Sequence, residues 1–234
     1  MRNVPVIEIE GLRKHYVGFR GGTTAIDGLD LAVPEGGVFG FLGPNGAGKT
    51  TTIRCLMALA RPTSGSVQIL GVNPAKELSK VISRIGAIVE TPTFFGRFSG
   101  ERNLLLLGRL NGIGRQAVRE AMDRVGLGGR EKDLVRDYSL GMKQRLGLAA
   151  ALLKDPELMI LDEPAHGLDP AGITEIRNLI RRLGDEGRTI FLSSHLLSEV
   201  QQVCDHVAIL RKGKVAASGT VKEILSMSKL QRMV

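Results

Sequence analysis

The octapeptide Gly43-Pro44-Asn45-Gly46-Ala47-Gly48-Lys49-Thr50 has the spacing G-x-x-x-x-G-K-[ST]. Glycines at these positions let backbone N–H groups close around phosphate oxygens, and a helix beginning at the loop directs its positive end at the same anion. Lys49 would reach the outer phosphates and the Thr50 hydroxyl would ligate Mg²⁺, so the chemistry implied is the binding of a nucleoside triphosphate with its metal. A second chemical group follows the apolar run Leu158-Met159-Ile160-Leu161, which ends in Asp162-Glu163-Pro164. Two carboxylates at the end of a buried strand are costly to leave unpaired, which suggests a site. Asp162 can hold the metal's water shell, and Glu163 can orient or deprotonate a water aimed at the γ-phosphate. A third run, Thr189-Ile190-Phe191-Leu192-Ser193-Ser194-His195, has its polar residues at the exit edge. Ligands of parallel sheets sit at such edges, so His195 could face the same phosphates as Lys49 and Glu163.

These groups need elements that bring them together. Val38–Leu42 is a mainly apolar strand feeding the glycine-rich loop, and Ile53, Leu56, Met57 and Ala60 then recur at helical spacing until Pro62. Val6–Glu10 and Ala25–Val33 show short apolar alternation expected of an antiparallel sheet, and Gly86–Val89 is a further strand. From about Thr91 to Leu153 the pattern is helical, with segments Glu101–Leu110, Arg115–Val125 and Leu140–Leu153. Strands Leu158–Leu161 and Thr189–Leu192 flank a helix from about Ala171 to Leu183, a βαβ alternation that implies parallel pairing. The expected fold class is α/β: a P-loop NTPase core with a mainly parallel sheet, an N-terminal antiparallel β subdomain and an inserted helical subdomain. Residues 1–89 and 156–234 would form the core with its β subdomain, and 90–155 the insertion, all within one domain.

Composition narrows the function classes. With 234 residues, 43% hydrophobic and 24% charged, the chain is an ordinary globular sequence. The net charge is +8, but the basic residues are scattered, aromatics are only 4% and Trp is absent. That is not the stacking pattern of single-strand binders, and no nucleic-acid partner is expected. Cys55 and Cys204 fit no metal-ligand spacing and supply neither a disulfide framework nor a zinc site, so a reducing, cytoplasmic setting is expected. Met1–Gly11 lacks the apolar core of an export signal. The densest apolar run, Leu146–Leu153, is far short of the ~20 residues that cross a bilayer.

Taken together, these residues resemble the ABC (ATP-binding cassette) ATPase family over nearly the whole chain. Gly43–Thr50, with Thr51 after it, looks like Walker A, Leu158–Glu163 like Walker B, Gly167-Leu168-Asp169 like the D-loop, and His195 like the switch histidine. Tyr16 lies where the family stacks an aromatic on adenine. Tyr138-Ser139-Leu140-Gly141-Met142, before Lys143-Gln144-Arg145, stands at the place of the family signature Leu-Ser-Gly-Gly-Gln. Ser139 is a good N-cap, so its hydroxyl, the Gly141 backbone and the helix dipole make an anion site without lysine. In the family that site serves a second cassette paired head to tail, its signature closing over the γ-phosphate. The resemblance implies ATP and Mg²⁺ as cofactors, a second ATPase subunit, separate transmembrane subunits as partners, and a place on the inner face of the cell membrane. A non-transport ABC ATPase or an ATP-sensing regulator is the alternative. The Asp162-Glu163 pair argues against the sensor, and the absence of a second cassette or a long coiled coil argues against translation and repair members.

Two positions depart from the family pattern. Glu90 stands where a glutamine usually touches Mg²⁺ and the attacking water, and a carboxylate there is expected to contact the metal with added negative charge. Leu140 and Met142 replace the usual Gly and Gln, which keeps backbone donation and loses the Gln side-chain contacts. Both departures are similar to bacterial drug- and peptide-antibiotic-export cassettes, such as bacitracin-resistance exporters. Phe94-Phe95-Gly96-Arg97-Phe98 follows the Glu90 segment, and in the family this stretch borders the groove that receives a membrane subunit's coupling helix.

Overall fold

The structure is a computed structural model that describes residues 5–18, 21–90 and 92–231. The opening residues 1–4 and Thr91, where the helical stretch is expected to begin, lie outside the described residues. In chain order the chain forms β1 (Ile7–Gly18), β2 (Gly21–Val33), β3 (Gly37–Leu42), α1 (Lys49–Leu56), β4 (Ser64–Ile69), the single turn α2 (Pro74–Glu77) and β5 (Ile85–Ile88). There follow α3 (Gly100–Gly108), α4 (Arg115–Arg124), α5 (Leu140–Leu152), β6 (Leu158–Asp162), α6 (Pro170–Asp185) and β7 (Thr189–Ser194). The chain closes with α7 (Leu197–Val203), β8 (His206–Arg211), β9 (Lys214–Thr220) and α8 (Val221–Gln231).

Two sheets result. β1 pairs antiparallel with β2 and with β4, giving the order β2-β1-β4. The larger sheet has the order β5-β6-β7-β3-β8-β9, with its first five strands parallel and β9 antiparallel to β8. This is the α/β class with a mainly parallel sheet and a separate antiparallel one. Among the described residues no helix is long and apolar enough to cross a membrane.

The uninterrupted apolar character of β3, β6 and β7 has its reason in burial on both faces. Alternate residues go to opposite sides. Val38, Leu42, Met159, Leu161, Ile190 and Leu192 pack in one core with helices such as α5 and α6. Phe39, Phe41, Leu158, Ile160 and Phe191 belong to a second core shared with α1 and the antiparallel sheet. Gly40 interrupts β3 because a Cβ there would lie 2.8 Å from Val200 Cγ1 and 2.9 Å from Cys204 Sγ; its missing side chain lets α7 lie against the strand.

Parallel pairing fixes where the site forms. Leu42 is opposite Ser194 across β3 and β7, and Asp162 is opposite Ser193 across β6 and β7. The chain therefore leaves the sheet at Gly43, Glu163 and His195 side by side on one edge, although these residues are far apart in sequence.

Some elements differ from expectation. The helix expected to continue through Ala60 to Pro62 ends at Leu56. Ala58 takes a left-handed conformation at φ 55, and its N–H bonds Cys55 O at 3.2 Å while that of Leu59 bonds Arg54 O at 2.8 Å. That is a Schellman closure, with alanine where glycine is usual. β4, β8, β9 and α8 are further elements; β8 carries the largely buried apolar run Val207-Ala208-Ile209-Leu210, whereas β9 reads Lys-Val-Ala-Ala-Ser-Gly-Thr and is half-exposed. Of the Phe94–Phe98 group, Phe94 packs on the core, Phe95 is 65% exposed, and Phe98 lies beneath Arg102 at 3.9 Å.

Candidate active site

The loop after β3 owes its shape to two glycines with positive φ, Gly46 at 78 and Gly48 at 108. Gly48 is the N-cap of α1 and offers no side-chain cap, and the first bond into the helix is Thr52 N–H to Gly48 O at 2.9 Å. The N–H groups of Lys49, Thr50 and Thr51 thus precede any partner within the helix, which leaves a set of donors and the positive dipole end facing the loop. Lys49 is 5% exposed, and its ammonium donates to Gly43 O at 2.7 Å and Pro44 O at 3.3 Å. A buried lysine beside an uncapped helix start fits the outer phosphates of a nucleotide.

Across the edge, Glu163 holds the group together. It sits at φ 45, a conformation that is strained for a non-glycine residue. Its N–H donates to Ser193 Oγ at 3.0 Å, and that hydroxyl in turn donates to the Asp162 carboxylate. Its side-chain oxygens face opposite ways: Oε1 lies 3.2 Å from Lys49 Nζ, and Oε2 lies 3.0 Å from His195 Nδ1. Burial acts to raise the Glu163 carboxyl pKa, but Lys49 and then His195 favour the anion more, and the net shift is downward. A carboxylate kept anionic between a lysine and an imidazole can accept a hydrogen bond from water and orient it, with His195 placed to exchange a proton.

The structure brings together Lys49, Glu163 and His195 as expected, with Asp162 joined to them through Ser193. Asp162 is buried and Thr50 begins α1 beside Lys49, so a hydroxyl and a carboxylate are present as the hard oxygen ligands that Mg²⁺ prefers. Glu90 stands apart. It has φ 69, its carboxylate is paired with Arg54, and it holds the guanidinium pKa above its ordinary value. Tyr16 adds to the same Arg54 and has Lys14 Nζ 4.7 Å from its ring centroid; the residue is partly exposed.

The signature segment is ordered by its own hydrogen bonds. Ser139 caps α5, accepting Met142 N–H at 3.2 Å. The Met142 side chain packs against the core, and a Cβ on Gly141 would have only Leu168 and Ser139 atoms near it, each at 3.9 Å. Tyr138 is buried, donates to Arg130 O at 2.7 Å, and has its hydroxyl pKa pushed up to about 12, chiefly by burial. Asp169 caps α6, accepting Gly172 N–H at 3.1 Å.

Two residues of the site escape a reading of motifs. Ser193 is wholly buried and links Glu163 to Asp162, a role visible only in the β6–β7 register. His166 returns to Glu163 through a turn, with its N–H on Glu163 O at 3.0 Å and Nδ1 3.6 Å from Oε2. Its spacing three residues after Glu163, just beyond Pro164, was the available signal.

Comparison with known proteins agrees with this arrangement. A family profile described as "ABC transporter" matches residues 26–166. The chain is 44% identical over 221 residues to the bacitracin transport ATP-binding protein BcrA of Enterococcus faecalis, covering 94% of this chain and 70% of that protein. It is 41% identical to the daunorubicin/doxorubicin resistance ATP-binding protein DrrA of Streptomyces peucetius, covering 94% of this chain and 67% of the relative. Among solved structures, cbiO1 from Clostridium perfringens, described as part of the ABC transporter complex cbiONQ, superposes with a TM-score of 0.84 at 29% identity over 98% of this chain and 94% of that one.

Proposed function

The chain belongs to the ABC transporter family, and from that premise we propose that it is the ATP-binding and ATP-hydrolysing subunit of an exporter. It works through separate membrane-spanning subunits at the inner face of the cell membrane, on a drug or peptide antibiotic. The names of the bacitracin and daunorubicin relatives support the cargo class. The observation that carries the ATPase reading is the Glu163 carboxylate, placed between the buried Lys49 ammonium and His195 at the edge where the phosphate loop leaves the sheet.

In this reading the N–H groups from Gly46 to Thr51 and the Lys49 ammonium hold the phosphates, and Tyr16 flanks the adenine. Thr50 and Asp162 are the residues that would hold Mg²⁺, which supplies positive charge against the developing phosphate oxygens. Glu163 orients the attacking water, and His195 steadies the γ-phosphate side of the site. Ser139, the Gly141 backbone and Asp169 act across a head-to-tail dimer with a second ATPase subunit, so a single copy is catalytically incomplete.

Light scattering on Glu163→Gln protein tests this directly. A doubled mass that appears only with ATP and disappears in Ser139→Arg supports the shared site; a protein that binds no ATP sinks the reading. Glu90→Ala tests the metal role of Glu90: a changed Mg²⁺ dependence of turnover supports it, and an unchanged one assigns the residue to Arg54 alone.

A further inference from the structure

Oε1 of Glu163 is engaged by Lys49, but Oε2 faces two imidazoles. It lies 3.0 Å from His195 Nδ1 and 3.6 Å from His166 Nδ1, and ligand atoms of the three residues all fall within 4.8 Å of one another. The two rings stand edge to face, with centroids 6.1 Å apart. In a tetrahedral zinc site with bonds of about 2.0–2.1 Å, neighbouring ligand atoms are about 3.3–3.4 Å apart. The two measured separations bracket that value. The adjoining pocket has apolar walls that include Leu168, Ile176, Ile180 and Leu192, with Ser193, Ser194, Glu199 and Arg177 among its polar lining.

We propose that Glu163 Oε2, His166 and His195 form a transition-metal site for Zn²⁺, and that its occupation arrests hydrolysis while leaving the phosphate loop free to bind nucleotide. The donor set carries the choice of metal. Two imidazole nitrogens and one carboxylate suit zinc, whereas Mg²⁺ keeps to oxygen ligands and water. The two metals therefore sort themselves: magnesium to Thr50 and Asp162, zinc to the opposite face of Glu163. Three protein ligands leave a fourth position for water or a phosphate oxygen. The arrest of hydrolysis rests on the assignment of Glu163 and His195 above; the binding of zinc does not.

The test is a zinc titration of the full chain without nucleotide, in competition with a chromophoric chelator, for wild type, His166→Asn and His166→Cys. The His166 side chain is exposed, so neither substitution disturbs the core. Wild type should bind one zinc per chain with no response to Mg²⁺. Losing a direct ligand costs at least what losing an outer-shell partner does, so His166→Asn should bind about tenfold more weakly or worse. His166→Cys, which returns a donor, should recover the affinity. In the ATPase assay, with each protein scaled to its own zinc-free turnover, His166→Asn should need at least tenfold more zinc for equal inhibition. Equal zinc affinity in wild type and His166→Asn, or no stoichiometric binding, overturns the site. A wild-type protein that binds zinc but hydrolyses no ATP when zinc is removed overturns the functional reading instead.

Discussion

Replacing Ser193 with alanine removes one oxygen and two hydrogen bonds. The residue is wholly buried, so water cannot substitute. The bond from Glu163 N–H is between neutral groups, worth about 1 kcal/mol, and the one donated to the Asp162 carboxylate is charge-assisted, worth about 1.5–3 kcal/mol. Ser193→Ala should therefore lose about 2.5–4 kcal/mol in urea unfolding, which a domain of about 5–15 kcal/mol survives at low temperature. The same bond holds Glu163 at φ 45, a conformation costing on the order of 1–3 kcal/mol. Freed from it, the residue relaxes and its carboxylate leaves His195. Because 1.4 kcal/mol is a factor of ten, ATP turnover at saturating nucleotide should fall by about tenfold or more. Nucleotide affinity should stay near wild type, since Lys49 is held by Gly43 and Pro44 rather than by Ser193. A variant within about 0.5 kcal/mol of wild type that hydrolyses ATP at the normal rate would refute the bridging role.

Other changes test other parts of the molecule. Ala58→Gly relieves the left-handed residue that closes α1 and should raise stability by about 0.5–1 kcal/mol in urea, while Ala58→Val should lower it. Asn103→Ala removes the buried amide that bonds both Phe95 N–H at 2.8 Å and Phe95 O at 3.1 Å. It should cost about 2–3 kcal/mol and make the Phe94–Phe98 loop a site of rapid proteolysis. The Arg84 guanidinium grips Glu157 with bonds of 2.7 and 2.6 Å and holds its carboxyl pKa below the ordinary value. A depressed folded pKa contributes stability above the unfolded value that is lost as pH falls through the folded one. Glu157→Gln should thus be less stable than wild type at neutral pH, by under about 1 kcal/mol for so exposed a pair. The difference should shrink in urea melts as pH falls below the ordinary glutamate range and vanish once the folded carboxyl is itself protonated.

The chemistry of the site was legible because it lies at the ends of apolar runs. Strands buried on both faces admit no charge, so Asp162, Glu163 and His195 stand out where the runs stop, and Lys49 is marked by the glycines before it. What stayed hidden depends on pairings between distant segments. Ser193 reads as one more polar residue at a strand exit until the register sets it opposite Asp162. That Glu90 meets Arg54, 36 positions earlier, is likewise invisible until the fold brings the two together. The end of α1 was misjudged for a local reason: Pro62 is a visible stop, whereas an alanine at φ 55 leaves no mark in the sequence. β9 was missed because a half-exposed edge strand lacks the apolar density that reveals β3, β6 and β7.

The central position of β3 has a consequence for how the protein is made. The strand lies between β7 and β8, and Gly36, at its start, bonds Thr189, 153 positions away. At a synthesis rate of about 5–20 residues per second, β3 leaves the ribosome some 8–30 s before the strands on either side of it. During that interval a strongly apolar segment has both hydrogen-bonding edges open, and the loop it carries has no wall to close against. Lys49 is synthesised well before its carboxylate partner, which joins it only after the helical region has also emerged. Nucleotide competence thus waits for the strands that flank β3, and a product truncated before Thr189 would present the phosphate loop on an unfinished sheet.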